Sequence, residues 1–205
     1  MENILDPHKS AVLLIDLQKD TVPRFAKDQS FMSNVVRILG YVRSVKMPVF
    51  LAQTRRRPDY SDEPRTITDQ SLKGSPTQRS MGILVEGAPG TDFMDEMNAQ
   101  PTDYVIDKRR GSAFFASLLD MHLRQLGVDT ILVGGISTHL GVESVVRDGR
   151  DRDFNMVVLA DCCSASSDEA HQYALTKIFP RIARVMTTEE AIAKLKEGTG
   201  RPLKP

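Results

Sequence analysis

Residues 130–142, TILVGGISTHLGV, pass from four apolar or β-branched positions through two glycines into small and polar residues that open a helix near His139. A buried strand running through a tight turn into a helix is the unit of a parallel sheet, because parallel neighbours need a crossover connection. The same pattern recurs on both sides. Apolar runs at Ala11 to Ile15, Val49 to Ala52 and Tyr104 to Ile106 come before it, and Met156 to Leu159 and Arg184 to Met186 come after. Between them, apolar residues fall three and four apart, as in Phe31, Val35, Ile38, Leu39, Val42 and Val45, which share one helix face until Pro48 ends it. Ser112 predicts the N-cap of a further helix, with Phe115, Leu118, Leu119, His122 and Leu126 on its inner face and Gly127 as its stop. Ser166 with Glu169, and Thr187 with Glu190, have capping-box spacing, so helices should run through Ala170, Tyr173 and Ala174 and through Ala191, Ile192 and Leu195. Six strands interleaved with helices, with no flexible linker, predict one domain over residues 1–205. Its class is α/β, a three-layer α/β/α stack on a six-stranded, mostly parallel, doubly wound sheet.

Composition narrows the function. Of 205 residues, 40% are apolar, and Lys+Arg 27 balance Asp+Glu 27, so no electrostatic footprint for nucleic acid or an anionic membrane surface exists. A small-molecule partner is expected. Cys162 and Cys163 are adjacent, which excludes a disulfide scaffold and a structural zinc tetrahedron. The four histidines, His8, His122, His139 and His171, show neither HExxH nor i, i+4 pairing, so no metal is expected. The GGIS stretch lacks GxGxxG and is not followed by Gly-Lys-Ser/Thr, which argues against a nucleotide cofactor. No apolar run approaches the roughly 20 residues that span a bilayer, and MENILDPHKS has no basic and apolar leader, so a cytoplasmic location is expected. The interval from Arg55 to Pro101 is too long for a simple connection and predicts a lid or wall. The tail after Gly198, TGRPLKP, is expected to fray.

Ligands of open parallel sheets bind beyond the C-terminal ends of the strands. Asp16 ends the first run, Lys108 follows the third, and Gly134-Gly135-Ile136-Ser137-Thr138 follows the fourth, where backbone N–H groups can meet an anion. Each has a plainer role open to it. Asp16 suits a turn or cap, Lys108 heads the charge run Lys108-Arg109-Arg110, and His139 can hydrogen-bond the local backbone. His122, on an apolar helix face, reads as a core residue.

The segments LLIDLQKD, VEGAPG, VIDKRRGSAFF and VGGISTHLGVESVVRDGRDRDFNMVVLADCCSAS occur in this order over nearly the whole chain. Together they resemble the isochorismatase-like hydrolases, the cysteine hydrolase superfamily. The resemblance implies a six-stranded parallel sheet and a catalytic Asp and Lys at Asp16 and Lys108. The nucleophilic Cys of the amidohydrolase members is replaced by Gly141, within His139-Leu140-Gly141, as in true isochorismatases. Those enzymes split a vinyl ether, so the resemblance implies Asp16 as a proton donor to the enol-ether carbon, acting in its protonated form, with Lys108 orienting substrate or offsetting a substrate carboxylate. It also implies a cis peptide at Ile136–Ser137, with Ser137, Thr138 and His139 lining the site, no metal or cofactor, and assembly as a homodimer or homotetramer. A dicarboxylate substrate needs further cations, for which Arg55, Arg56 and Arg57 are candidates, Arg55 foremost. The VEGAPG stretch is similar to the carbamoyl-amide and ureide branch instead. Two readings follow: a vinyl-ether hydrolase, or a relative of the amidohydrolases that lost its thiol and binds a small ligand. Under both, Cys162 and Cys163 are packing residues.

Overall fold

Strand β1 (Ser10–Ile15) is buried along its whole length and lies in the middle of the sheet, which is why its sequence is apolar without alternation. The computed structural model describes residues 5–199. In chain order β1 is followed by α1 (Val22–Phe25), α2 (Phe31–Ser44), β2 (Val49–Thr54), α3 (Asp69–Leu72), α4 (Gln78–Met81) and β3 (Tyr104–Lys108). Then come α5 (Leu119–Gln125), β4 (Thr130–Ile136), α6 (Glu143–Arg150), β5 (Asn155–Ser164), α7 (Asp168–Tyr173), β6 (Arg184–Met186) and α8 (Thr188–Thr199). The six strands pair in the order β3-β2-β1-β4-β5-β6, all parallel. The expected α/β architecture is therefore present, with the chain reversing its direction of sheet growth between β1 and β4.

Each face of the sheet carries its own core. Val12, Leu14, Leu51 and Leu132 pack with Val35, Ile38, Leu39 and Val42 of α2. Leu13, Ile15, Phe50 and Val133 pack with Leu119 and Leu123 of α5 and with Val145 and Val146 of α6. Adjacent strand residues thus serve opposite cores, and fully burying each such side chain contributes about 1.5–3 kcal/mol.

Two local expectations shift. The helix predicted from Ser112 begins at Leu119, and Ser112 Oγ instead accepts the Phe114 N–H in a turn. That turn sends Ala113 and Phe114 into the core, Phe114 stacking on Phe154 at 5.8 Å, so Phe115 and Leu118 point outward, 56% and 60% exposed. His122 is half-buried, its ring tilted against Tyr104 at 5.2 Å. Likewise Ser167, not Ser166, caps α7, its Oγ accepting the Ala170 N–H at 3.2 Å, because Ser166 turns toward the cavity described below. The Thr187–Glu190 box forms as expected: Thr187 N–H donates to Glu190 Oε2 at 2.7 Å and Glu190 N–H to Thr187 Oγ1 at 3.2 Å. Gly198 lies within α8, and the tail beyond Thr199 lies outside the described residues. Among the described residues no helix is long and apolar enough to cross a membrane.

The two glycines that opened the reading have a packing role. A Cβ on Gly134 would sit 2.9 Å from Cys162 Cβ, and one on Gly135, whose φ is 134°, would sit 2.2 Å from the Ile15 carbonyl oxygen. Contact that close is inaccessible to any other residue. Gly135→Ala is expected to cost about 3 kcal/mol or more, or to prevent folding, read as a loss of denaturation midpoint; an unchanged midpoint would remove this packing argument.

Candidate active site

Asp16 follows β1 with φ 54°, a left-handed conformation that Asp tolerates better than branched residues. Its backbone N–H donates to the Ala52 carbonyl at 2.8 Å, and Thr21 Oγ1 donates to its own carbonyl. Both anchors aim the side chain across the sheet end. Lys108 Nζ stands 2.7 Å from Asp16 Oδ2, while Thr54 Oγ1 donates to Asp16 Oδ1 at 2.9 Å and accepts from Lys108 Nζ at 2.9 Å. Lys108 also donates to the Arg110 carbonyl at 3.3 Å. Three strand ends thereby close one triangle, with the Lys108 side chain only 4% exposed. A buried ion pair persists when further hydrogen bonds satisfy both partners, as here.

Gln18, fully buried, locks this arrangement from behind. Its Nε2 donates to the Thr54 and Thr91 carbonyls at 3.0 and 2.9 Å, and its Oε1 accepts the Thr54 N–H at 2.8 Å. Neither Gln18 nor Thr54 was singled out from sequence. Thr54 carried one signal, its place two residues beyond the apolar run ending at Ala52.

After β4 the Ile136–Ser137 peptide is cis, and the Ser137 carbonyl accepts the Leu140 and Val142 N–H groups at 3.0 and 3.2 Å. Thr138 is buried behind this turn, its Oγ1 2.8 Å from His171 Nδ1 on α7. Burial pushes the His171 imidazole below its ordinary value, with Asp168 opposing and His139 reinforcing that push. The resulting cavity, about 570 Å³, is lined by Asp16, Lys108, Ser137, His139 and Gly141. His139 Nδ1 is buried with no hydrogen-bond partner, so it does not bond the local backbone through that atom. A Cβ built on Gly141 would fall 3.7 Å from Asp16 Oδ2 and 3.0 Å from the Ile136 carbonyl oxygen, so this position faces the acid directly.

Arg55 is placed elsewhere. It points to the opposite side of the chain, where its Nη1 lies 3.6 Å from Asp107 Oδ2, and it does not line the cavity. Arg56 does line it, because side chains alternate sides along an extended strand and Arg56 shares the side of Thr54. The Arg55 to Pro101 interval forms one cavity wall, contributing Pro64, Gln70, Ser75, Pro76, Gln78 and Leu84. Among the described residues no group of three or more His, Cys, Asp or Glu side chains is arranged to hold a metal ion.

Comparison with known proteins identifies the family. The isochorismatase domain family matches residues 10–190. The chain belongs to the isochorismatase family. The isochorismatase family protein YecD of Escherichia coli O157:H7, itself uncharacterised, is 34% identical over 195 residues, covering 93% of this chain and 98% of that protein. An isochorismatase family protein from Burkholderia thailandensis has a solved structure that superposes with a TM-score of 0.83 at 30% identity, covering 94% of this chain and 98% of the other. The ureidoacrylate amidohydrolase RutB of Methylobacterium radiotolerans is 28% identical over 209 residues, covering 92% of this chain and 81% of that protein. This isochorismatase-family hydrolase therefore has amide-cleaving kin.

Its two thiols lie away from Gly141. Cys162 is buried with Sγ 3.1 Å from Thr188 Oγ1, and burial pushes its thiol far up from the ordinary range. Cys163, also buried, is pushed up to about 12, again by burial. Neither forms a thiolate at neutral pH. Titration of the folded protein with a thiol-reactive disulfide reagent should label neither cysteine within the time that labels both after denaturation. Rapid labelling of the native chain would contradict their burial.

Proposed function

We propose that this isochorismatase-family hydrolase cleaves the vinyl-ether bond of a small carboxylated substrate of the isochorismate type, yielding pyruvate and a dihydroxy-dihydrobenzoate. One observation carries the reading: the position that faces Asp16 is Gly141, whose backbone offers no nucleophile. Acid catalysis needs none. Asp16 donates a proton to the terminal methylene carbon of the enol ether, leaving an oxocarbenium ion. Water adds to that cation, and the hemiketal breaks its C–O bond to release pyruvate and the ring alcohol, with the water's protons going to the alcohol and back to Asp16.

The triangle supports this cycle. Once the proton has left, Lys108 and the Thr54 hydroxyl stabilise the carboxylate that remains, one on each of its oxygens. Ser137 and His139 stand on the turn side of the cavity to orient substrate, with Thr138 held behind them by His171.

Purified protein incubated with isochorismate should release pyruvate, and Asp16→Asn should lower kcat by about 100-fold or more with KM little changed. Absence of pyruvate from folded protein would sink the substrate assignment, and full activity in Asp16→Asn would sink the mechanism.

A second reading rests on the relationship to RutB together with the Val85–Gly90 stretch: a descendant of amidohydrolases that lost its thiol and binds a small ligand. Gly141→Cys separates the two. Its Cβ needs a shift of only a few tenths of an ångström from the Ile136 carbonyl, so the variant should fold. It is expected to gain no ureide or amide hydrolysis; a measured gain with ureidoacrylate would favour the second reading.

A further inference from the structure

Arg56 is 4% exposed and lines the cavity, yet among the described residues no carboxylate lies within 4.0 Å of its guanidinium. Its hydrogen bonds all go to neutral oxygens. Nε donates to Gln78 Oε1 at 2.6 Å, and Nη1 donates to the Arg109 carbonyl at 2.8 Å and the Asp62 carbonyl at 3.5 Å. Arg110, which lines the same cavity, donates through its own Nη1 to the same two carbonyls, Arg109 at 2.7 Å and Asp62 at 2.9 Å. Two guanidiniums sharing two acceptors lie side by side. Among the described residues neither forms an ion pair within 4.0 Å, whereas Lys108 has Asp16, Arg55 has Asp107, and Arg109 has both Asp62 and Glu86.

A buried cation held only by neutral acceptors is costly, and a second cation beside it adds repulsion. Burial, first of all, pushes the Arg56 guanidinium below its ordinary value; Asp62 and Glu63 pull it up, and Arg110 and Arg109 push it down again. A structure keeps such an arrangement when a ligand supplies the missing charge. Guanidinium forks suit a planar carboxylate, which accepts two parallel N–H bonds.

We infer that Arg56 and Arg110 form a carboxylate-binding subsite in the cavity that also holds the Asp16–Lys108 pair, and that it selects substrates bearing a carboxylate apart from the scissile bond. The naming of that carboxylate as the one on the ring of an isochorismate-type substrate rests on the function proposed above; the subsite itself does not. Arg56 supplies a buried, preorganised donor through Nη2, its Nε being held by Gln78 of α4 and its Nη1 by the Arg109 and Asp62 carbonyls, and Arg110, which is exposed, supplies a second cation. Lys108, already committed to Asp16 and Thr54, is left to the reacting end.

The test is calorimetric binding of 2,3-dihydroxybenzoate and of catechol, which has the same ring without the carboxylate. Wild-type protein should prefer the carboxylate by about tenfold or more, the value of a charged hydrogen-bonded contact. Arg56→Gln and Arg110→Gln should each abolish most of that preference while leaving catechol binding in place. Arg57→Gln, on an exposed arginine that pairs with Asp59 at 3.5 Å, should not alter it. If the buried Arg56→Gln variant fails to fold, the exposed Arg110→Gln variant decides. No preference in wild-type protein, or a preference that survives in folded Arg110→Gln, overturns the inference. Loss of preference in the variants without pyruvate release from isochorismate would uphold the subsite and remove the vinyl-ether reading alone.

Discussion

Gly135 brings β4 so near to β1 that a single methyl group there would overlap the Ile15 carbonyl, and the placement of the site follows from that approach. The turn after β4 is held beside Asp16 because β1 and β4 stay paired in register up to Ile15 and Gly135. Gly134 does the same toward Cys162 on β5, where the β4–β5 register shifts between Val133 and Gly135. Small residues at these two positions therefore put Ser137, His139 and Gly141 within one cavity of Asp16.

The second determinant is electrostatic. Asp16, Thr54 and Lys108 come from three neighbouring strand ends and satisfy one another, and Gln18 ties β2 to the turn at Thr91 behind them. This is a neutral, closed unit. The Arg56 and Arg110 pair is the opposite case, two cations that share neutral carbonyl acceptors and, among the described residues, form no ion pair of their own. With both units lining one cavity, the proposed subsite would give a polarity to a bound substrate, the reacting bond at the acid and the anionic group at the arginines.

Much of this was legible in the residues and some was not, for reasons that can be named. All six strands and the parallel, doubly wound class could be read because buried parallel strands are short continuous apolar runs, and these stand out against amphipathic helices. The helix after β3 was misplaced because Phe114 and Phe115 are adjacent apolar residues, and periodicity alone does not say which of them enters the core; the turn at Ser112 decides it. Asp16, Lys108 and the β4 turn could be found from their positions at strand ends. Thr54 and Gln18 could not, since their roles depend on partners 36 residues and more away in the chain. Choosing among Arg55, Arg56 and Arg57 needed the exact end of β2, because a shift of one residue reverses the side of the strand that a side chain occupies.

Under the proposed vinyl-ether reading, the same geometry divides the site into a fixed part and a variable one. The acid and the ammonium are fixed by the ends of the sheet, and changing them would disturb hydrogen bonds on three strands. The position facing them belongs to a turn, where a Cβ would stand 3.7 Å from Asp16 Oδ2 once the Ile136 carbonyl, 3.0 Å away, had given by a few tenths of an ångström. Under the proposed vinyl-ether reading, residue 141 carries no thiol and the Asp16 carboxyl is the group that moves a proton onto a bound substrate. What that substrate is then depends on the wall from Arg55 to Pro101, the longest interval between strands and the one whose Gln78 holds Arg56 in place. Reaction type and substrate choice are thus carried by different parts of the chain, a turn of a few residues for the first and a loop-rich crossover for the second, on a sheet that has to serve both unchanged.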